Sequence, residues 1–197
     1  MAEDTRTRIL DTAERLFADR GFYGVSIAAI ATEIDLTKQA LLHHFGSKEK
    51  LYGEVLKRIS HRFELDLSMA QPSGDDPVER LVAALLQLQT QNTDQPNAIH
   101  LLMRELLDNK RRADTVGTWY LEPFLERLAR MVAATPKYQD ATPEEAFAAT
   151  YQLLGAINYF GVSRPTLTGI YGERFYAKIE ADFPQQLEAL IRSAVAP

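Results

Sequence analysis

Residues 35–51, DLTKQALLHHFGSKEKL, place two adjacent histidines before a glycine and a group of lysines. Adjacent histidines suggest metal binding or proton transfer. Neighbours on a helix point about 100° apart, so His43 and His44 cannot easily hold one ion. Neither has a carboxylate or a further histidine at helical spacing. We therefore predict no metal here, and DNA contact or plain surface exposure remain as alternatives.

The lysines pose a second chemical question. Ser47 is a typical helix cap, which puts Lys48 in the first turn, where the helix dipole repels a positive charge. The free N–H groups of that turn form an anion site, so a DNA phosphate would make the arrangement favourable. The alternatives are a solvated Lys48 and a simple pairing of Lys50 with Glu54.

The elements that must position these side chains are helices. Ser26 can cap IAAIATEI and Thr37 can cap KQALLHHF, and only IDL separates the two segments. This is helix-turn-helix spacing, in which the second helix enters the major groove. Asp35 falls in the tight turn, where aspartate tolerates the left-handed conformation better than most residues.

The outer face of the third helix carries polar side chains that suit DNA. Gln39 and Lys38 are types that read adenine and guanine, and Ala40 can touch a thymine methyl. Hydroxyl groups and His44 can donate to phosphates. The predicted DNA-binding residues are Ser26, Thr37, Lys38, Gln39, Ala40, His43, His44 and Lys48.

Residues 7–56, TRILDTAERLFADRGFYGVSIAAIATEIDLTKQALLHHFGSKEKLYGEVL, resemble the DNA-binding domain of the TetR family of transcriptional regulators. The resemblance implies a homodimer, a double-stranded DNA operator and a C-terminal pocket whose small-molecule effector weakens DNA binding. Repression is the expected outcome. Leu42 stands where the family usually has a tyrosine that reaches the DNA backbone. Gln39 replaces a commonly small residue, which suggests a base contact particular to this operator.

Composition limits the other functions. The chain has 197 residues, of which 46% are hydrophobic and 25% charged, and it lacks cysteine. Disulfides, thiol catalysis and thiolate metal sites are excluded, and a reducing, cytoplasmic location is expected. The net charge of −5 argues against indiscriminate nucleic-acid binding, although residues 1–60 are neutral, with nine basic and nine acidic side chains. The N-terminus has no apolar signal core.

The whole chain has helical periodicity, so we predict an all-α fold of about nine helices. Residues 1–46 form a small three-helix DNA-binding head, and residues 47–197 form a larger effector-binding and dimerisation body. Three short helices fill the head. In the body, Pro77 and Thr142 start helices, Pro123 bends one, and Pro184 kinks or restarts the last. The Thr142 helix ends near Phe160, and a loop covers 161–172.

The uncharged stretch 146–163 contains polar side chains, so we expect it to be buried in protein and not to span a membrane. Its small residues would let helices of two chains approach closely. The predicted dimer interface is Ala149, Tyr151, Gly155, Ala156, Phe160, Leu187, Leu190 and Ile191. The predicted effector pocket, whose members could equally be plain core, is Phe63, His100, Met103, Trp119, Tyr120 and Phe124.

An enzyme is the main rival class. Gly161-Val162-Ser163-Arg164-Pro165 lacks the second glycine of a nucleophile elbow, and neither a metalloprotease helix nor a phosphate-binding loop is present. We therefore expect no enzymatic activity and no cofactor. A helical interaction protein without DNA binding is the alternative function.

Overall fold

The computed structural model describes residues 2–69, 75–112 and 120–196, with the side chains of 4–69, 75–107 and 120–196. Over this part of the chain it contains helices and turns and no strand. The all-α prediction is confirmed. The helices are α1 (Ala2–Arg20), α2 (Ile27–Glu33), α3 (Lys38–Phe45), α4 (Lys48–Met69), α5 (Pro77–Asp94), α6 (Pro96–Arg112), α7 (Glu122–Ala133), α8 (Pro143–Tyr171) and α9 (Glu173–Val195).

The chain divides into two compact units. The first unit contains Met1–His61 and Asn97–Leu121, and the second contains Arg62–Pro96 and Glu122–Pro197. The predicted boundary at residue 46 therefore falls inside the first unit. Helix α4 begins in the first unit and ends in the second, and α6 belongs with the N-terminal helices.

The first unit has a hydrophobic core of its own. Its fully buried side chains come from the apolar faces of α1 to α4 and include Ile9, Leu16, Phe17, Ile30, Leu41 and Leu51. Gly21 ends α1 with a φ of 70°, and Asp35 adopts a φ of 57° in the turn before α3. Both residues occupy the left-handed region that the sequence predicted for Asp35. The sequence analysis predicted a short first helix, but α1 spans 19 residues.

In the second unit, α8 packs on α7 and α9, and α5 packs on α8 and α9. Thr142 and Glu145 form a reciprocal capping box at the start of α8, and Pro77 opens α5, as predicted. Arg192 on α9 donates to both carboxylate oxygens of Glu79 on α5, at 2.6 and 3.0 Å.

The predicted loop over 161–172 is wrong, because α8 continues to Tyr171 with Pro165 inside it. Pro165 has no N–H to donate to the carbonyl of Gly161, four residues earlier in the helix. Packing on α9 holds the segment helical. The Phe160 and Phe183 rings stack at 3.7 Å, and Arg164 lies 3.6 Å from the carboxylate of Glu173.

One further proline prediction differs from the structure. Pro123 lies in the first turn of α7, which begins at Glu122, so its missing N–H costs no helical bond and no bend is required. For Pro184, the structure excludes one of the two predicted outcomes, a restart of the helix, since α9 is one continuous element with Pro184 inside it.

Candidate DNA-binding surface

Helix α3 presents the predicted reading side chains to solvent. Leu41 and Phe45 point into the core, while Lys38, Gln39, His43 and His44 are exposed and Ala40 is half-buried. This division follows from helical periodicity. Leu41 and Phe45 are four residues apart and lie on one side of α3, so their burial leaves the opposite side of the helix in solvent. The exposed set keeps its donors and acceptors available to a base edge.

Two hydroxyl groups fix the starts of the helices. Ser26 Oγ accepts from the Ala29 N–H at 3.0 Å, and Thr37 Oγ1 accepts from the Ala40 N–H at 3.1 Å. Each hydroxyl still has its own hydrogen to donate, and both residues are exposed. Ser26 and Thr37 can therefore cap a helix and donate to a phosphate at once.

The start of α4 is also capped as predicted. Ser47 Oγ accepts from the Lys50 N–H at 3.2 Å. Lys48 is half-buried, with its Nζ 4.2 Å from the centre of the Phe22 ring. Burial lowers the pKa of Lys48, and Glu49 opposes that shift. The cation–π contact holds the ammonium group beside the helix start.

Glu49 is the one acidic side chain in the first turn of α4. Hydrogen bonds from its own backbone N–H and from the Ser47 hydroxyl lower the pKa of the Glu49 carboxyl. The carboxylate therefore takes donors that a DNA phosphate could use, and it repels a phosphate at the same position.

We predict that Glu49→Gln raises DNA affinity about two- to fivefold on every sequence, because it removes a charge next to the phosphate. Fluorescence anisotropy on operator and shuffled duplexes measures the change. Glu126→Gln, an exposed change on α7, is the matched control. Equal or weaker affinity of the Glu49 variant would show that its carboxylate does not compete with DNA.

The two histidines diverge as expected, with ring centres 6.0 Å apart and ring planes at 86°. In the part of the chain that the structure describes, no three His, Cys, Asp or Glu side chains come together as a metal site. His43 and His44 are both exposed, which leaves them available as donors to DNA.

Helix α6 is bonded to the end of α1 through a residue that the sequence analysis missed. Arg104 donates from Nε to the Ala18 carbonyl at 2.8 Å and from Nη2 to the Asp19 carbonyl at 2.7 Å. These carbonyls lie in the last turn of α1, where the helix leaves them without internal donors. A contact between residues about 85 positions apart gives no local sequence signal.

Phe22 was also missed, although a signal for it exists in the sequence. It follows the glycine that ends α1, in RGFYG, where an aromatic residue can fold back on the core. Its ring lies 6.1 Å from Phe17 and 5.0 Å, edge-on, from Tyr52. Tyr52 in turn donates to Glu105 on α6 at 2.7 Å. Phe22 is therefore a fixed support for Lys48.

This site has the parts of a DNA-binding head, and comparison with known proteins agrees. Residues 9–55 match the family described as bacterial regulatory proteins, tetR family. Residues 76–196, more than half of the chain, match the C-terminal domain of the HTH-type transcriptional dual regulator CecR. The chain belongs to the TetR family of transcriptional regulators.

Relatives of this TetR-family regulator align along its length. The HTH-type transcriptional regulator UidR of Escherichia coli K12 is 28% identical over 190 residues, which cover 96% of this chain and 92% of UidR. LmrA of Bacillus subtilis 168, another HTH-type transcriptional regulator, is 33% identical over 89 residues, or 45% of this chain and 47% of LmrA. The UidR alignment spans nearly the whole of both chains.

Solved structures share the fold. The fatty acid degradation regulator FadR from Bacillus halodurans superposes with a TM-score of 0.69 at 15% identity, covering 94% of this chain and 93% of that one. A TetR-like regulator from Rhodococcus sp. RHA1 gives 0.65 at 21% identity, covering 97% and 96%. The family is one of ligand-responsive DNA-binding regulators. Across the described segments of this member, no helix is long and apolar enough to cross a bilayer.

The predicted pocket residues of this TetR-family chain lie in both units. In the second unit, the buried Phe63 and Phe124 pack together with ring centres 5.3 Å apart. In the first unit, His100 and Met103 are half-buried on α6. Tyr120 is also half-buried, and its ring occupies the space that a side chain on Gly53 would need. Trp119 lies outside the described residues.

His100 is the titratable member of this set. Burial, followed by the positive charge of Arg104, lowers the pKa of His100. The neutral imidazole is therefore favoured at pH 7, with one nitrogen as donor and the other as acceptor. An imidazole in this form suits a polar, uncharged group on a ligand.

The predicted dimer residues of this regulator divide into two sets. Four are buried in the protomer's own core: Ala149, Phe160, Leu187 and Ile191. On the surface, Tyr151 is 48% and Leu190 46% exposed, Gly155 is exposed and Ala156 is half-exposed. Periodicity gave the correct helices but could not tell which face of each packs internally.

Proposed function

We propose that this TetR-family regulator is a repressor that binds a palindromic operator as a homodimer and is released by a small molecule. One observation supports this most strongly. The exposed side chains of α3 belong to the same unit as the start of α4, where the Lys48 ammonium group can bind phosphate. We propose the cytoplasm, where the operator DNA lies, as its location.

The dimer would use the exposed face shared by α8 and α9. On α8, Phe147, Tyr151 and Tyr159 are exposed large apolar residues, and on α9, Phe175 and Leu190 are. Exposed apolar residues clustered on two helices are typical of a protein interface. An isologous contact would pair two copies of α3 with two half-sites, about 34–36 Å apart along the duplex.

We propose that the effector acts by a population shift. Helix α4 runs from the phosphate site into the second unit, and Arg104 ties α6 to the end of α1. An effector that binds more tightly to a conformation unsuited to DNA lowers operator affinity. The decrease is at most the ratio of the effector's affinities for the two conformations. His100, Met103 and Tyr120, which all lie in the first unit, are our proposed effector contacts.

The test is selection of bound fragments from genomic DNA, followed by anisotropy on the selected duplex. We expect one pseudo-palindromic sequence, bound by two chains, in front of genes whose substrates suggest the effector. Compounds from that class should then release the protein. Selection of fragments with no common sequence would contradict the proposal.

Activation is the second candidate, and a specific finding favours it. The family that matches residues 76–196 is named after CecR, an HTH-type transcriptional dual regulator. A reporter gene behind the selected operator separates the two, because deletion of the regulator raises expression under repression and lowers it under activation.

We predict that Gln39→Ala lowers operator affinity by about 1–3 kcal/mol and relaxes one base position, because its amide can bond an adenine edge in both directions. Binding to all single-base variants of the selected operator measures this. Gln91→Ala on α5 is the matched control. If operator and random DNA lose affinity equally, Gln39 reads no base.

A further inference from the structure

The segment between α1 and α2 contains an exposed aromatic residue that no function has yet been given. Tyr23 is 56% exposed in the turn at residues 21–24. Within the described residues its hydroxyl has no hydrogen-bond partner. An exposed phenol is a ready donor and acceptor.

The position of Tyr23 is fixed by its neighbours. Its ring lies edge-on to Phe22, with centres 5.2 Å apart. Phe22 is itself anchored on Phe17 and Tyr52. The next residue must be glycine, because a Cβ on Gly24 would lie 2.2 Å from the Arg20 carbonyl oxygen. Tyr23 is therefore held in place while its hydroxyl stays in solvent.

The same Phe22 ring also carries the Lys48 ammonium group at 4.2 Å. The Phe22 ring thus contacts both the Lys48 ammonium group and the ring of Tyr23. A phosphate takes hydrogen bonds from lysine and tyrosine alike.

We infer that Tyr23 is a DNA-backbone contact, whose phenol donates to a phosphate of the strand that Lys48 binds. The inference rests on the proposed function, since it requires that the α4 start meets DNA. Tyr23 adds orientation and not sequence reading, because phosphates are the same at every base pair. A neutral donor displaces no counterion, so it adds affinity without adding salt dependence.

The experiment compares wild type, Tyr23→Phe and Tyr138→Phe on the selected operator and on a shuffled duplex at several salt concentrations. Tyr138 is the matched control, in the 134–142 segment of the second unit. We expect Tyr23→Phe to weaken binding to both duplexes about three- to tenfold, with an unchanged slope of log affinity against log salt. Tyr138→Phe should equal wild type.

Methylphosphonate substitution then locates the contact. Replacing one phosphate at a time should reveal a position where wild type loses affinity and Tyr23→Phe loses nothing further. Equal DNA affinity of Tyr23→Phe and wild type would overturn the inference. This holds even if Tyr23→Ala binds DNA weakly, because a loss seen only with alanine would mean that the ring packs on a sugar and the hydroxyl donates to no phosphate. If the wild-type protein shows no salt-dependent DNA binding, the proposed function fails. If wild-type binding depends on Lys48 but the Tyr23→Phe substitution leaves DNA affinity unchanged, only this inference fails.

Discussion

Lys48→Ala is expected to weaken binding to operator and random DNA alike, by about 10- to 100-fold near 0.1 M salt. The proposed dimer loses two charge-assisted phosphate contacts, and each contributes about 1 kcal/mol or more. The slope of log affinity against log salt should flatten by about 1.8, because two fewer phosphates release counterions. Anisotropy titrations over a salt series measure both quantities.

The controls separate charge from packing. Lys48→Met keeps an aliphatic stem over the Phe22 ring and should lose as much affinity as the alanine variant. Lys137→Ala removes an equivalent exposed lysine from the second unit and should change neither quantity. An unchanged salt slope in Lys48→Ala would refute the phosphate contact.

Gly155→Glu is expected to convert the dimer to monomers and abolish high-affinity operator binding. A Cβ at Gly155 meets nothing within 4 Å, so the protomer accepts a larger side chain there. Glutamate also favours the helix by about 0.5–1 kcal/mol over glycine, so helicity should not fall. At a helix–helix contact of two chains, however, two buried carboxylates would repel strongly. Sedimentation velocity measures the oligomeric state.

Thr90→Glu adds the same charge to an exposed position on α5 and is expected to remain dimeric. Circular dichroism at 222 nm checks that both variants are folded. A Gly155→Glu protein that sediments as a dimer would place the interface elsewhere.

The DNA-binding head could be predicted from the sequence because its determinants are local. Ser26, Thr37 and Ser47 each cap a helix that starts immediately after them, and all three caps are present. Asp35 takes the left-handed turn for the same local reason. Residue type and spacing were sufficient because each interaction closes within four residues.

The misses come from contacts between distant segments. The end of α8 is helical because α9 packs on it, which the three glycines and one proline of 161–172 could not reveal. Arg104 meets carbonyls far away in sequence, and the contact between Phe22 and Lys48 joins the turn after α1 to the start of α4. Burial of Phe160 and Ile191 likewise depends on which helix faces pack together.

The most direct test of the DNA-binding claim is the salt dependence of wild-type binding to its selected operator and to a shuffled duplex. The account predicts log affinity falling steeply and linearly with log salt on both, with the operator bound at least about 1000-fold more tightly. Affinity that is independent of salt, or equal on the two duplexes, would contradict it.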